Sequence, residues 1–145
     1  MRALIQRVSQ ASVSVDGELL GHIDQGLLAL IGVAADDTPT HADRLLHKLL
    51  NYRVFADDEG RMNRNLQQVG GGLLLVSQFT LVAATDKGLR PSFSSAAPPE
   101  HGRALFDHLL VQARRSWPDT ATGRFGADMQ VALINDGPVT FLLET

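Results

Sequence analysis

Apolar residues along this chain follow two rhythms, and the switches between them mark out its elements. From Leu4 to Val15 apolar and polar positions alternate loosely, and Asp16-Gly17 then offers a two-residue hairpin turn into Glu18–Ile23. The next segment, Gly26 to Val33, is almost unbroken in apolar character, which predicts a central strand covered on both faces. After Thr38-Pro39, a good N-cap followed by a residue favoured at the first helical position, Ala42, Leu45, Leu46, Leu49 and Leu50 recur at helical spacing. A helix is predicted from Pro39 to about Asn51.

Beyond it, Tyr52–Phe55 reads as a short strand and Asp57-Asp58-Glu59-Gly60 as the turn that follows. Gly70, Gly71 and Gly72 break the pattern as a flexible connection, and the apolar run Leu73–Leu81 predicts a second buried strand. From Ala84 to Pro99 the residues are mostly Ser, Pro, Gly and Ala, with Lys87, Arg90 and Phe93 among them. A surface loop of that length is often functional. Pro99 opens a second amphipathic helix, with Leu105, Phe106, Leu109, Leu110 and Ala113 on one face and Trp117-Pro118 at its end. Met129–Ile134 and Val139–Leu143 complete the pattern as two strands joined by Asn135-Asp136-Gly137-Pro138. The order of elements favours a single α/β domain over residues 1–145, with mixed β-structure and two main helices packed on one side.

Composition narrows the function more by exclusion than by suggestion. With 44% hydrophobic residues in 145, the chain can bury a real core, and 20% charged residues of mixed sign argue against a long disordered tail. No cysteine is present, which removes disulfides, thiolate nucleophiles and cysteine-ligated zinc. Arg2 and Arg7 interrupt the apolar stretch a signal peptide would need, and no run reaches the roughly 20 apolar residues of a membrane helix. A cytoplasmic protein is expected, without membrane partners. A net charge of −3 speaks against coating long nucleic acids, but not against gripping the last nucleotides of an RNA in a local pocket.

Few residues suggest chemistry directly. The five histidines include no i, i+4 pair, so no metal and no cofactor are assigned. Gly70–Gly72 lacks the lysine and helix of a phosphate loop, and Arg114-Arg115 needs only a role at the negative end of its helix. Ser77-Gln78-Phe79-Thr80 places polar groups at the end of a buried strand, a rigid support for reactive groups, although a strand running out into solvent explains the same residues. In Asn135-Asp136-Gly137-Pro138-Val139-Thr140, Pro138 removes a backbone donor where a simple hairpin would continue pairing. The Gly137-Pro138 bond can adopt cis at small cost, while base rates favour trans.

Ser77-Gln78-Phe79-Thr80-Leu81 and Asn135-Asp136-Gly137-Pro138-Val139-Thr140 together resemble the two signature motifs of the D-aminoacyl-tRNA deacylase family. The similarity extends over nearly the whole chain, through Ile5-Gln6-Arg7-Val8, Arg61-Met62-Asn63, Arg90-Pro91-Ser92-Phe93, Thr122-Gly123-Arg124-Phe125 and Ala127-Asp128-Met129. A sister branch carries proline and alanine where Ser77 and Phe79 stand, so the resemblance is to the D-specific branch.

That resemblance implies a barrel-like fold and a homodimer whose active sites lie at the subunit interface. Gly137 and Pro138, joined by a cis bond, would reach from one subunit into the other, their carbonyls meeting the amino group of the bound aminoacyl moiety. An L side chain would collide with that turn, whereas glycine, lacking a side chain, would not be excluded. The reaction implied is hydrolysis of the ester joining a D-amino acid, or glycine mischarged on tRNA(Ala), to the tRNA acceptor end. By the same resemblance the backbone N–H groups of Phe79 and Thr80, in the strand motif with Ser77 and Gln78, hold the oxyanion. Arg7 supports the Gly-Pro turn, and Phe125 and Met129 line a pocket for the terminal adenine. A covalent role for the Thr80 hydroxyl needs a base, and no histidine or lysine lies beside it in sequence. Two other classes remain open: a generic small-ester or peptide hydrolase built on Ser77 or Thr80, and a noncatalytic RNA-binding dimer using Lys87 to Phe93.

Overall fold

The computed structural model describes residues 1–145 and is organised around one long strand, β1 (Arg2–Val15). Asp16 and Gly17, both at positive φ (50° and 81°), turn it back as the antiparallel partner β2 (Glu18–Ile23), the expected hairpin. The first half of β1 pairs with β3 (Gly26–Gly32), also antiparallel. Beyond β3 lies β6 (Gly72–Ser77), parallel to it, and then the short β7 (Thr120–Thr122), parallel to β6. Along its other edge β1 is paired nearly end to end with β8 (Gln130–Glu144). The sheet curls until β2 crosses β6 and β7, where a methyl group on Gly21 would stand 3.0 Å from the Thr122 carbonyl oxygen. The result is a mixed sheet nearly closed into a barrel.

The continuous apolar runs follow from this curling, because β3 and β6 have no solvent face. Leu28, Leu74 and Val76 point into the barrel with Val8, Ala11, Val13 and Ile23. The alternate residues Leu27, Ala29, Ile31, Leu73 and Leu75 point outward, where α1 (Pro39–Asn51) and α3 (Pro99–Ser116) cover them. Leu45, Leu49, Leu105, Leu109 and Ala113 supply the facing side, as the helical spacing requires. Arg114 and Arg115 lie in the last turn of α3, where cations oppose the negative end of the helix.

Four expectations are corrected. The run Leu73–Leu81 is not one strand: β6 ends at Ser77, and Phe79–Val82 forms a 3₁₀ turn. Its partner β3 ends at Gly32, so the Gln78 N–H to Ile31 carbonyl bond (2.7 Å) is the last rung available. Leu81 and Val82 then fold down onto Gly32, where a Cβ would lie 3.1 Å from Leu81 Cβ and 2.9 Å from Val82 Cγ1.

Met129–Ile134 and Val139–Leu143 are likewise not two strands of a hairpin, because both halves pair with β1 in one continuous β8. Gln6 faces Thr140 and Val8 faces Asn135, so β8 carries extra residues there, and Asp136–Val139 bulge out of the ladder. The strand expected at Tyr52–Phe55 is displaced to β4 (Phe55–Ala56), which pairs with an unforeseen β5 (Met62–Arg64) across the Asp57–Gly60 turn. The short helix α2 (Leu66–Val69) was also unforeseen; Asn65 accepts the Gln68 N–H at 2.9 Å, and Gly70 closes it in a left-handed conformation. Gly70–Gly72 is thus the end of a helix and the start of a strand, not a free connection.

Candidate functional site

A cavity of about 470 Å³ opens above the carboxyl ends of the parallel strands β3 and β6, the place where such sheets most often receive ligands. Its walls come from Ile31 and Val33, from Val76 to Phe79, from the start of α3 at Pro99, Gly102 and Phe106, and from the segment Phe125–Met129. Most of these groups are apolar. The chain enters β8 through this last segment. Met129 lies across Gly123, where a Cβ would stand 2.5 Å from the Met129 sulfur, and Phe125 packs against Phe106 with ring centroids 6.0 Å apart.

The polar edge of the cavity is the 3₁₀ turn. Within Phe79–Val82, the Leu81 N–H reaches the Gln78 carbonyl (3.2 Å) and the Ala83 N–H reaches Thr80 (3.2 Å). The N–H groups of Phe79 and Thr80 precede the first bond of the turn and have no partner in it. Phe79 is 61% exposed, with its ring held 5.1 Å from that of Phe93 in the Ala84–Pro98 loop. The Thr80 hydroxyl accepts a hydrogen bond from Gln78 Nε2 at 2.5 Å, and no histidine, lysine or carboxylate is bonded to it. Its surroundings supply no base of the kind an alcohol nucleophile requires.

Gly137 and Pro138 stand elsewhere, exposed on the β8 bulge and outside the cavity lining. Their peptide bond is cis, against the base-rate expectation and in agreement with the resemblance. The bulge is braced from both sides. Asn135 Oδ1 accepts the Val139 N–H (2.7 Å), and Asn135 Nδ2 donates to Thr140 Oγ1 (2.9 Å). Arg7, with only 15% of its side chain exposed, donates from Nε to the Asp136 carbonyl (2.8 Å) and from Nη1 to that of Val54 (2.7 Å). Gly137 has φ 147°, and a Cβ there would fall 2.6 Å from Val139 Cγ2 and 3.2 Å from an Arg7 guanidinium nitrogen.

The structure therefore gathers the expected residues into two groups within one chain. Ser77, Gln78, Phe79, Phe125 and Met129 line one cavity, with Thr80 just outside it on the same turn. Arg7, Gly137 and Pro138 form a separate, outward-facing cluster. Sequence reasoning missed Gly32, which seats the turn, and Asn135, which closes the bulge. The first left no signal beyond a glycine ending an apolar run; the second is an Asx side chain before a turn, a recognisable device.

The family model and the curated relatives agree on one assignment. Residues 4–144 match the family model described as D-Tyr-tRNA(Tyr) deacylase. The chain is 66% identical over 145 residues to a D-aminoacyl-tRNA deacylase of Chromohalobacter salexigens, and 67% identical to that of Stutzerimonas stutzeri, each alignment covering 100% of both chains. Among solved structures it is similar to a c-Myc DNA unwinding element binding protein (TM-score 0.95, 38% identity), over 100% of this chain and 99% of the other. A probable eukaryotic D-amino acid tRNA deacylase shares the fold at TM-score 0.87 and 17% identity, over 99% and 98% of the two chains.

Proposed function

From the premise that this chain belongs to the D-aminoacyl-tRNA deacylase family, enzymes that hydrolyse an aminoacyl-tRNA ester, we propose a division of labour between two subunits. One subunit supplies the cavity and the 3₁₀ turn; the other supplies the Gly137-Pro138 bulge. The observation that carries this reading is the separation of the two motifs. An exposed, doubly braced bulge that lines no part of the cavity suits a part that completes a site in a second copy.

The terminal adenosine is taken between Phe125 and Met129, which brings the ester to the turn. A water molecule adds to the ester carbonyl, and the oxyanion accepts hydrogen bonds from the unpartnered N–H groups of Phe79 and Thr80. Donors of this kind are typically worth about 2.7 to 4 kcal/mol each in the transition state. The ribose 2′-hydroxyl assists, the bond from carbonyl carbon to ribose oxygen breaks, and free amino acid and free tRNA leave. Ser77 and Gln78 hold the turn in place, Gln78 through its bond to Thr80. From the partner, the carbonyls of Gly137 and Pro138 meet the substrate amino group, with Arg7 fixing their position.

With the amine and the ester both held, the remaining substituents on the alpha carbon have defined directions. A D side chain points away from the bulge, an L side chain would enter it, and glycine has nothing to be excluded. Glycyl-tRNA(Ala) is therefore a second substrate on this reading, and L-aminoacyl-tRNA is refused by overlap.

The test is a comparison of D-, L- and glycyl-aminoacyl-tRNA with a nitrophenyl ester under single-turnover conditions. Hydrolysis of the D and glycyl substrates alone is expected. Cleavage of L-aminoacyl-tRNA at a comparable rate overturns the steric filter, and cleavage of the small ester alone leaves a generic esterase.

A further inference from the structure

Although the cavity is suited to a nucleoside, its lining has no cation to meet the phosphate that a nucleotide carries. No lysine or arginine is among its sixteen lining residues, and Asp128, the one residue there with an acidic or basic side chain, is an acid. A cation is nevertheless fixed to its wall from outside. Arg103, exposed on the first turns of α3, lays its guanidinium carbon 4.9 Å from the centroid of the Phe125 ring. One of its terminal nitrogens also donates to the Phe125 carbonyl at 3.4 Å.

These two contacts orient the group and leave most of its five N–H donors free, since no carboxylate pairs with it. Arg124 contrasts with it: this immediate neighbour of Phe125 faces Glu18 at 3.7 Å. A planar guanidinium held over an aromatic ring, with unused donors at its rim, has the chemistry that favours recognition of phosphate oxygens.

We infer that Arg103 is a binding residue for the phosphate of the nucleotide whose base occupies the cavity, and that it positions the Phe125 ring as it does so. The inference rests on the reading of the cavity as a site for the terminal adenosine. It adds to that reading a charged contact reached through an aromatic wall.

Titration calorimetry with AMP and with adenosine tests the contact without requiring catalysis. Wild type should bind AMP about two- to fivefold more tightly than adenosine, the size of an exposed ion pair. Arg103→Gln should abolish that preference. Arg103→Lys should restore the preference for AMP while binding adenosine more weakly than wild type, because an ammonium carries the charge but does not stack on the ring as a guanidinium does.

Salt titration of tRNA binding supplies a second readout, with the log–log slope falling by about 0.7 in Arg103→Gln, one single-strand phosphate. Equal affinity of wild type for AMP and adenosine, no binding of either, or a preference and slope unchanged in Arg103→Gln would each overturn the proposal. A wild type that prefers AMP through Arg103 yet fails to hydrolyse D-aminoacyl-tRNA would overturn the catalytic reading alone.

Discussion

At the scale of single residues, Gly137 and Thr80 separate the proposed mechanism from its rivals. Gly137 sits at φ 147°, and a methyl group there would press on Val139 and Arg7, the groups that hold the bulge. Gly137→Ala should therefore shift the carbonyls by a fraction of an ångström or more, and misplacement of about 1 Å can cost 10²-fold in rate. Deacylation of D-aminoacyl-tRNA, normalised to folded protein by calorimetry, should fall by about that factor. A wild-type rate would leave the bulge as ordinary scaffolding. Thr80→Ala, by contrast, keeps the backbone N–H and removes a hydroxyl that has no base, together with the Gln78 bond that braces the turn. It should retain activity within about tenfold, since the donor it preserves is the one assigned to the oxyanion. An acyl-enzyme trapped on Thr80 of the wild type would restore the nucleophile.

At the scale of elements, the 3₁₀ turn depends on the end of β3. A Cβ on Gly32 would stand 2.9 Å from Val82 Cγ1 and 3.3 Å from the Gln78 carbonyl oxygen, so Gly32→Ala must lift the turn. Overpacking of this kind typically costs about 1–3 kcal/mol in stability. The rate should suffer more, by about 10²-fold, because the oxyanion donors ride on the displaced turn. A variant destabilised but fully active per folded molecule would show that the turn does not hold the reacting ester.

The β4–β5 hairpin carries a different signature. The backbone N–H of Arg61 on the Asp57 carboxylate holds its pKa below the ordinary value of 3.8; desolvation, next in size, opposes it, and the Glu59 N–H and the side chains of Arg61 and Asn63 add to the lowering. A carboxylate whose pKa is lowered on folding adds stability that is complete above its unfolded pKa and is lost as pH falls through the folded one. The difference in melting temperature between wild type and Asp57→Asn should therefore hold at neutral pH and shrink below about pH 3.8. A difference independent of pH would assign the effect to geometry instead of charge.

At the scale of the whole molecule, the two clusters of site residues make a prediction about assembly. The Gly32→Ala chain keeps an intact bulge, and the Gly137→Ala chain keeps an intact turn. In a two-fold dimer, half of a random equimolar mixture is heterodimer, and each heterodimer has one wholly wild-type site. Unfolding and refolding the two variants together should recover about one quarter of wild-type activity. Recovery no greater than the sum of the separate variants would place both motifs in the same chain. The acidic net charge of −3 also limits how much RNA is gripped. The slope of log affinity against log salt should correspond to only a few phosphates, and a slope fitting eight or more would mean contact far beyond the acceptor end.

The hairpin at Asp16-Gly17, the doubly buried β3, and both amphipathic helices were legible in the chain because each is dictated by local spacing: period two, unbroken apolar runs, or period near 3.6. The two motifs were legible as motifs. What they become was not, because it depends on partners distant in sequence. Leu73–Leu81 has the composition of one strand throughout, yet it turns at Phe79 because β3 ends at Gly32 and offers no further rungs. Asn135–Thr140 has the composition of a hairpin turn, yet its flanks stay in line because β1 is long enough to pair with both. Residue spacing settles which segments are apolar strands and helices; only the tertiary lengths of their neighbours decide which strands pair and where one must stop, and so where unpaired N–H groups and an outward bulge remain.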